Sequence, residues 1–274
     1  MKIVQLTDIH LTTPGSTIAG RDSNTNFERA VSHMLECHAD AAALVITGDL
    51  SDWGDRSDYE RLKQRIGTMP MPVHLCIGNH DDRPTFAAVF PELTDENGFV
   101  QYTFSLSRGT GIALDTWGPE SHAGFFCKDR QAWLNRQLAN AEGPIWMFMH
   151  HNPIPTHVTP LDSIMLQDVD GFGEVVSAHR EKISHIFHGH CHLAMSGSFR
   201  GIPISSTRGT NHAGWPNYKE HKLLTASELF ESYAVIFVDN GSTTVQMVEF
   251  GYSGPIRVEA SPDYEAWDRE TMVR

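Results

Sequence analysis

Short apolar runs alternate with amphipathic stretches of helical period through the first half of the chain, the pattern of α/β layering around a sheet. Ile3 to Leu6, Ala43 to Thr47 and Val73 to Ile77 read as strands. Between and after them, Phe27, Val31, Met34 and Leu35 fall at helical spacing, as do Tyr59, Leu62 and Ile66, and later Trp133, Leu134 and Leu138. The polar, Gly- and Pro-containing stretch from Leu11 to Asn26 is long for a connection, which predicts a lid or binding loop. Ile145 to Met149 and His185 to Phe187 are again short buried strands, each running into a histidine-bearing turn. Tyr233 to Val238 and Thr243 to Phe250 flank Asn240-Gly241, which predicts a type I′ hairpin that packs on the fold or pairs with a second chain. From Gly251 onward the chain is polar and expected to be loosely held.

With 274 residues, 40% of them hydrophobic and 20% charged, the chain can bury a core without disulfide or metal staples. The longest apolar run, Ala41 to Ile46, is too short to cross a bilayer, and Asp8 and His10 interrupt the start before a signal-type segment can form. Neither a membrane span nor export is therefore expected. Cys37, Cys76, Cys127 and Cys191 form no C-x-x-C pair, so reduced thiols in a cytoplasm are the expectation. A net charge of −13 repels long polyanions, which argues against a nucleic-acid polymer as partner. The outlier is histidine: sixteen of them, which matters only if they gather with carboxylates.

They do gather along the sequence. Five segments, each after an apolar run, carry metal-ligand residue types: Asp8-Ile9-His10, Gly48-Asp49, Gly78-Asn79-His80-Asp81, His150-His151 and Gly189-His190-Cys191-His192. In layered α/β proteins, ligand groups collect beyond the carboxyl ends of strands. If the D-x-H and H-x-H pieces stay extended, period two places Asp8 with His10 and His190 with His192 on common faces. Taken singly, Asp8 reads as a helix or turn cap sooner than as a ligand, and Gly-Asn-His-Asp as a turn. Order and recurrence favour a shared site.

The series D-x-H, G-D, G-N-H-D, H-H and G-H-x-H resembles the calcineurin-like metallophosphoesterase superfamily, and within it the class III cyclic nucleotide phosphodiesterases and the related glycerophosphodiesterases. The resemblance runs from Asp8 to His192. It implies a four-layer α/β/β/α sandwich with a C-terminal β-hairpin extension, in one domain over 1–274 whose catalytic core ends near 212. It also implies two divalent or mixed-valence transition-metal ions (Mn, Fe, Zn or Co). Asp8, His10, Asp49 and His192 would hold the first and Asp49, Asn79, His150 and His190 the second, with Asp49 bridging. A metal-bound hydroxide would attack a small phosphodiester, a cyclic nucleotide or a glycerophosphodiester, in line. His80 takes a phosphate-binding or general-acid role. Asp52 is a candidate to orient His80 through its other ring nitrogen, with a turn or helix cap as the equal alternative. His151 is expected behind the ligands or facing substrate, and His212 on the substrate side. Arg21 could meet an anionic substrate but reads better as a solvated loop residue.

His188 is expected to make at most a supporting contact, and Cys191 to point away from the site. His33, His38, His74, His122, His157, His179, His185 and His221 match no motif and are expected to be structural or exposed. Trp53 stands where the protein Ser/Thr phosphatases of this superfamily carry arginine, which disfavours that activity. A broad-specificity phosphatase or phosphonate monoesterase, and a metal-binding scaffold without turnover, are the alternatives. The C-terminal strands of close relatives serve dimer formation, which implies a homo-oligomer here.

Overall fold

A computed structural model of the protein describes residues 1–219 and 223–256. His221 and most of the stretch after Gly251 lie outside the described residues. Two sheets stack face to face. The first has the order β13-β12-β1-β2-β3, built from β1 (Lys2–Leu6), β2 (Ala43–Thr47), β3 (Val73–Cys76), β12 (Tyr233–Asp239) and β13 (Ser242–Val248). The second has the order β4-β5-β6-β7-β9-β8, built from β4 (Tyr102–Leu106), β5 (Gly109–Ala113), β6 (Ile145–Phe148), β7 (Ile183–His188), β8 (Met195–Phe199) and β9 (Ile202–Ser206). A two-stranded ribbon pairs β10 (Ala213–Gly214) with β11 (Ala226–Ser227).

Strand alternation builds the layers. On β1 and β2, Val4, Leu6, Leu44 and Ile46 pack against helices α1 (Ser23–His38), α2 (Arg56–Ile66) and α3 (Arg83–Val89). Their neighbours Ile3, Ala43 and Val45 turn to the other sheet and meet Trp146, Phe148 and Phe187. On β6 the complementary residues Ile145 and Met147 join α4 (Lys128–Asn140) and α6 (Val169–Ala178) in a third cluster. A short α5 (Thr159–Asp162) follows β6. Period two thus divides each strand between two cores, and the result is the α/β/β/α sandwich.

Several expectations are corrected here. The stretch Leu11 to Asn26 is not loop throughout: Asp22 caps α1, accepting from the Thr25 backbone N–H at 3.0 Å, so its last four residues are helical. Of the hairpin pair only Gly241 takes a positive φ (+79°), the sign pattern of a type II turn, so the type I′ expectation fails. The hairpin does pack on the fold, the first of its two alternatives: β12 runs antiparallel to β1 from Lys2↔Phe237 to Gln5↔Ala234, which joins β12 and β13 to the sheet whose first loop carries Asp8. Strands β4 and β5 add to the strands expected, and Tyr102, Phe104 and Leu106 alternate in β4. Among the described residues no helix is long and apolar enough to cross a membrane.

His185 lies flat on Phe187, with ring centroids 4.3 Å apart, and burial together with nearby His188 pushes it down to about 4. Both folded and unfolded chains keep it neutral above pH 6.5. As pH falls from 6.5 to about 4 only the unfolded chain gains the proton, so stability is lost across that window, by at most about 3 kcal/mol. His185→Gln, which can still meet Ser205 Oγ, is expected to flatten the loss. Denaturation midpoints of both proteins at pH 7.5 and 4.5 check this, and an unchanged difference between the two pH values would contradict it.

Candidate metal centre

Parallel pairing in each sheet brings the five motif segments to one end. β1 runs beside β2 with Leu6↔Ile46, and the loops beyond stay zipped together: Asp8 N–H donates to Gly48 O at 3.1 Å and His10 N–H to Asp49 O at 2.9 Å. In the second sheet Phe148 pairs with Phe187, and Gly189 N–H donates to His150 O at 3.0 Å. The sheets approach each other here so closely that two glycines are required. A Cβ on Gly48 would overlap His150 Nδ1, and one on Gly189 would overlap Thr7 Oγ1.

The ligand-type residues are not extended, as period-two reasoning expected. Asp8, His10, Asp49, His190 and His192 have φ between 47° and 70°, five of the eight non-glycine residues with positive φ among the described residues. Each left-handed residue of this kind costs on the order of 1–3 kcal/mol and persists only where its surroundings hold it. Here the zipped loops do so, and each of these five belongs to a cluster of ligand-type atoms.

Ligand-type atoms cluster in groups able to hold metal ions: Asp8, His10, Asp49 and His192 in one, and His150, His151 and His190 in another, with His10 also in reach of His212 and of Asp52 and His80. Asp49 faces both sides, with Oδ2 3.7 Å from His10 Nε2 and Oδ1 3.3 Å from His150 Nε2. Asn79 Oδ1 lies 3.1 Å from that same His150 nitrogen. Three imidazoles are fixed from behind. His10 Nδ1 meets Asp52 Oδ1 at 2.9 Å, His150 Nδ1 meets Thr47 O at 2.8 Å, and His192 Nδ1 meets His212 O at 3.0 Å. Their Nε2 lone pairs are left facing inward, those of His10 and His192 only 3.4 Å apart.

Two buried atoms of this set, Asp8 Oδ2 and His190 Nε2, have no hydrogen-bond partner. Buried polar atoms are otherwise paired, so converging lone pairs and orphaned ligand atoms fit cations between them. Electrostatics agree. Burial opposes ionisation of Asp49, but the charges of His150, His80 and His10 outweigh it and hold the carboxyl well below its ordinary range. Burial would likewise lower His150, yet Asp49 brings it up to about 9. Burial and the surrounding imidazoles drive His190 well below its ordinary value.

The remaining candidates divide. His80 and His212 both line a cavity of about 600 Å³ over the two groups. Burial and then the His192 and His10 rings push His212 down to about 2. Asp52 is not primarily the orienter of His80. Its carboxylate serves His10, while its backbone carbonyl accepts from His80 Nδ1 at 3.0 Å and its Oδ1 stands 3.5 Å away. His151 does not face substrate: it is fully buried, with Nδ1 bonded to Thr116 Oγ1 at 2.7 Å and Nε2 to His122 O at 3.2 Å. Arg21 is paired with Glu231 rather than solvated. Cys191 turns its Sγ toward Met195 and Ser206. His188 bonds Gly189 O through Nδ1 and stands outside the groups.

Two residues of the site escaped sequence reading. His122 borders the cavity with Nδ1 2.9 Å from Asn79 Nδ2, and nothing local to its sequence marks it. Asp81 is buried and accepts from four donors, the backbone N–H groups of Gly78, Leu50 and Ser51 and the Tyr59 hydroxyl. Burial and the Asp49 charge push its carboxyl up to about 6. Its place inside the G-N-H-D segment was the available signal.

The profile of the calcineurin-like phosphoesterase family matches residues 1–194. A probable cyclic nucleotide phosphodiesterase of Rhodopseudomonas palustris is 34% identical over 261 residues, spanning 93% of this chain and 95% of that protein. A glycerophosphodiester phosphodiesterase of Enterobacter lignolyticus is 25% identical over 218 residues, spanning 77% and 78%. Among solved structures, a dimetal phosphatase from Danio rerio superposes with a TM-score of 0.68 at 15% identity, covering 91% of this chain and 96% of that one, a likeness of fold.

Proposed function

The chain belongs to the calcineurin-like phosphoesterase family and is a phosphodiester hydrolase, and we propose that it acts on small diesters, cyclic nucleotides before glycerophosphodiesters, at a centre of two transition-metal ions. The observation that carries this reading is the division of Asp49, one carboxylate oxygen toward each ligand group. Asp8, His10, Asp49 and His192 hold the first ion on this reading, and Asp49, Asn79, His150 and His190 the second. Mixed imidazole and carboxylate donors suit Mn, Fe, Co or Zn. When bound, such a pair supplies Lewis acidity at the phosphoryl oxygens and a water acidic enough to serve as nucleophile near neutral pH.

The chain's own groups orient the ester and move the proton. His80 gives its Nδ1–H to Asp52 O, which holds the ring with Nε2 toward the cavity. Protonated there, it can hand the proton to the departing ester oxygen. His212, its ring centroid 4.2 Å from that of His192, is assigned contact with the substrate.

Specificity is argued from the far wall of the cavity, where Val158, Pro160, Leu161, Ile164, Trp215 and Leu224 present apolar surface. A nucleoside can cover that wall and a glycerol cannot. Stacking of a base on an aromatic ring is worth about 1–3 kcal/mol, so Trp215→Ala is expected to lower kcat/KM for 3′,5′-cyclic AMP by roughly 5- to 150-fold while sparing a glycerophosphodiester. Equal losses on both substrates would remove the preference. The reading as a whole is tested with bis-p-nitrophenyl phosphate and Mn²⁺ after chelation and add-back. No metal-restored turnover would leave a scaffold, and turnover of the monoester alone would leave a phosphatase.

Two further parts belong to this proposal. A cytoplasmic setting suits four free cysteines, and recovery of the native protein from the periplasm would speak against it. A homo-oligomer is supported by β13, which ends the first sheet with a row of mostly exposed residues, and a one-chain mass by light scattering at micromolar concentration would remove it.

A further inference from the structure

We propose that His122 is a positioning residue that selects the orientation of the Asn79 amide and so sets the affinity of the second metal position. The inference rests on the reading that Asn79, with Asp49, His150 and His190, holds that ion. A side-chain amide has an acceptor face and a donor face, and rotating it by half a turn exchanges them. Only one orientation presents Oδ1 to the ligand group, and Asn79 is in it, with Oδ1 3.1 Å from His150 Nε2. The opposite end of the amide is where the choice is made: Nδ2 donates to His122 Nδ1 at 2.9 Å. That bond makes Nδ1 an acceptor and leaves the His122 proton on Nε2. Flipping the amide would set a carbonyl oxygen against the Nδ1 lone pair and an NH₂ group against the cation.

His122 can select only if it is itself held. Its side chain is exposed, but its backbone is anchored: His122 O accepts from His151 Nε2 at 3.2 Å, and His151 Nδ1 is in turn bonded to Thr116 Oγ1 at 2.7 Å. Two residues on, Gly124 packs so tightly on the buried His151 ring that a Cβ there would come within 2.6 Å of His151 Cβ. The tandem pair after β6 is thus divided in labour. His150 points into the ligand group, and His151 fastens the loop whose histidine orients the neighbouring ligand.

Mn²⁺ binding to the full-length protein, followed by titration calorimetry, tests this apart from turnover. Asn79→Ala identifies which of the two binding events belongs to the second position. His122→Ala and His122→Gln are expected to raise the Kd of that event by about 10- to 100-fold, the usual cost of losing a partner behind a metal ligand, and to leave the other event within about threefold. His122→Asn should restore it, because its Oδ1 falls where Nδ1 stood, whereas the Gln amide falls at the Nε2 position. If Asn79→Ala weakens one event but His122→Ala weakens neither, the inference is overturned and the two-metal reading stands. Equal effects of the Asn and Gln variants also overturn it. Should Asn79→Ala leave both events unchanged, the assignment of the second position falls, and this inference with it.

Discussion

Asp49→Asn is expected to lower kcat/KM for bis-p-nitrophenyl phosphate in Mn²⁺-reconstituted protein by more than about 10³-fold, since losing even one preorganised stabilising group costs 10²–10³ and this residue would serve two cations. The substitution is chosen for its backbone. Asp49 has φ of 48°, a conformation asparagine tolerates and alanine resists, so the Asn variant isolates the charge. What changes is electrostatic. Oδ1 toward His150 and Oδ2 toward His10 together place one negative charge between the two groups. An amide offers one weaker acceptor, and its NH₂ group would face a cation on the other side. Bound metal, measured by elemental analysis after gel filtration, is expected to fall from two ions per chain to one or fewer. Activity within tenfold of the wild type at full metal content would defeat the bridging assignment.

The largest effect on stability is expected at Asp81. Its Oδ2 accepts from Gly78 N–H at 2.7 Å and Leu50 N–H at 3.1 Å, and its Oδ1 from Ser51 N–H and the Tyr59 hydroxyl, both at 3.0 Å. Asp81→Ala strands these donors in a buried place. At about 1–3 kcal/mol for each unsatisfied group, and with water entering to rescue some, the loss should be about 4 kcal/mol or more. Asp81→Asn keeps one acceptor oxygen and should lose roughly half as much. Urea unfolding of the metal-free proteins measures this without a contribution from bound ions, and an Ala variant within about 1 kcal/mol of wild type would refute it. The position matters to chemistry because its donors come from two motifs. Leu50 and Ser51 follow Asp49, and Gly78 precedes Asn79, so one carboxylate ties the Asp49 loop to the Asn79 loop. In the absence of that tie, activity should fall even in molecules that remain folded.

Much of the site was legible because each ligand-type residue sits at the end of its own apolar run. The strand β2 was read with the bounds it has, and β1, β3 and β6 within one residue. Geometry set by residues far apart in the chain is not written in any local stretch. The extended conformation assumed for Asp8 to His10 and for His190 to His192 does not occur, although Asp8 and His10 do share a ligand group, because their φ values are set by loop-to-loop bonds such as His10 N–H to Asp49 O. Asp52 meets both histidines, and only the turn decides that its carboxylate goes to His10 and its backbone carbonyl to His80.

Order and spacing of residue types along the chain were enough for the layered class of fold and the family resemblance, and for naming candidates for the metal ligands. Those properties are local: a strand's two faces and the loop at its end are encoded within a few residues. Which nitrogen of each imidazole faces inward, the burial of His151, the partnership of His122 with Asn79 and the clamp at Asp81 emerged only in the packed molecule. Each depends on contacts between segments separated by tens of residues, and apart from the Gly78 to Asp81 bond inside G-N-H-D no local pattern encodes them.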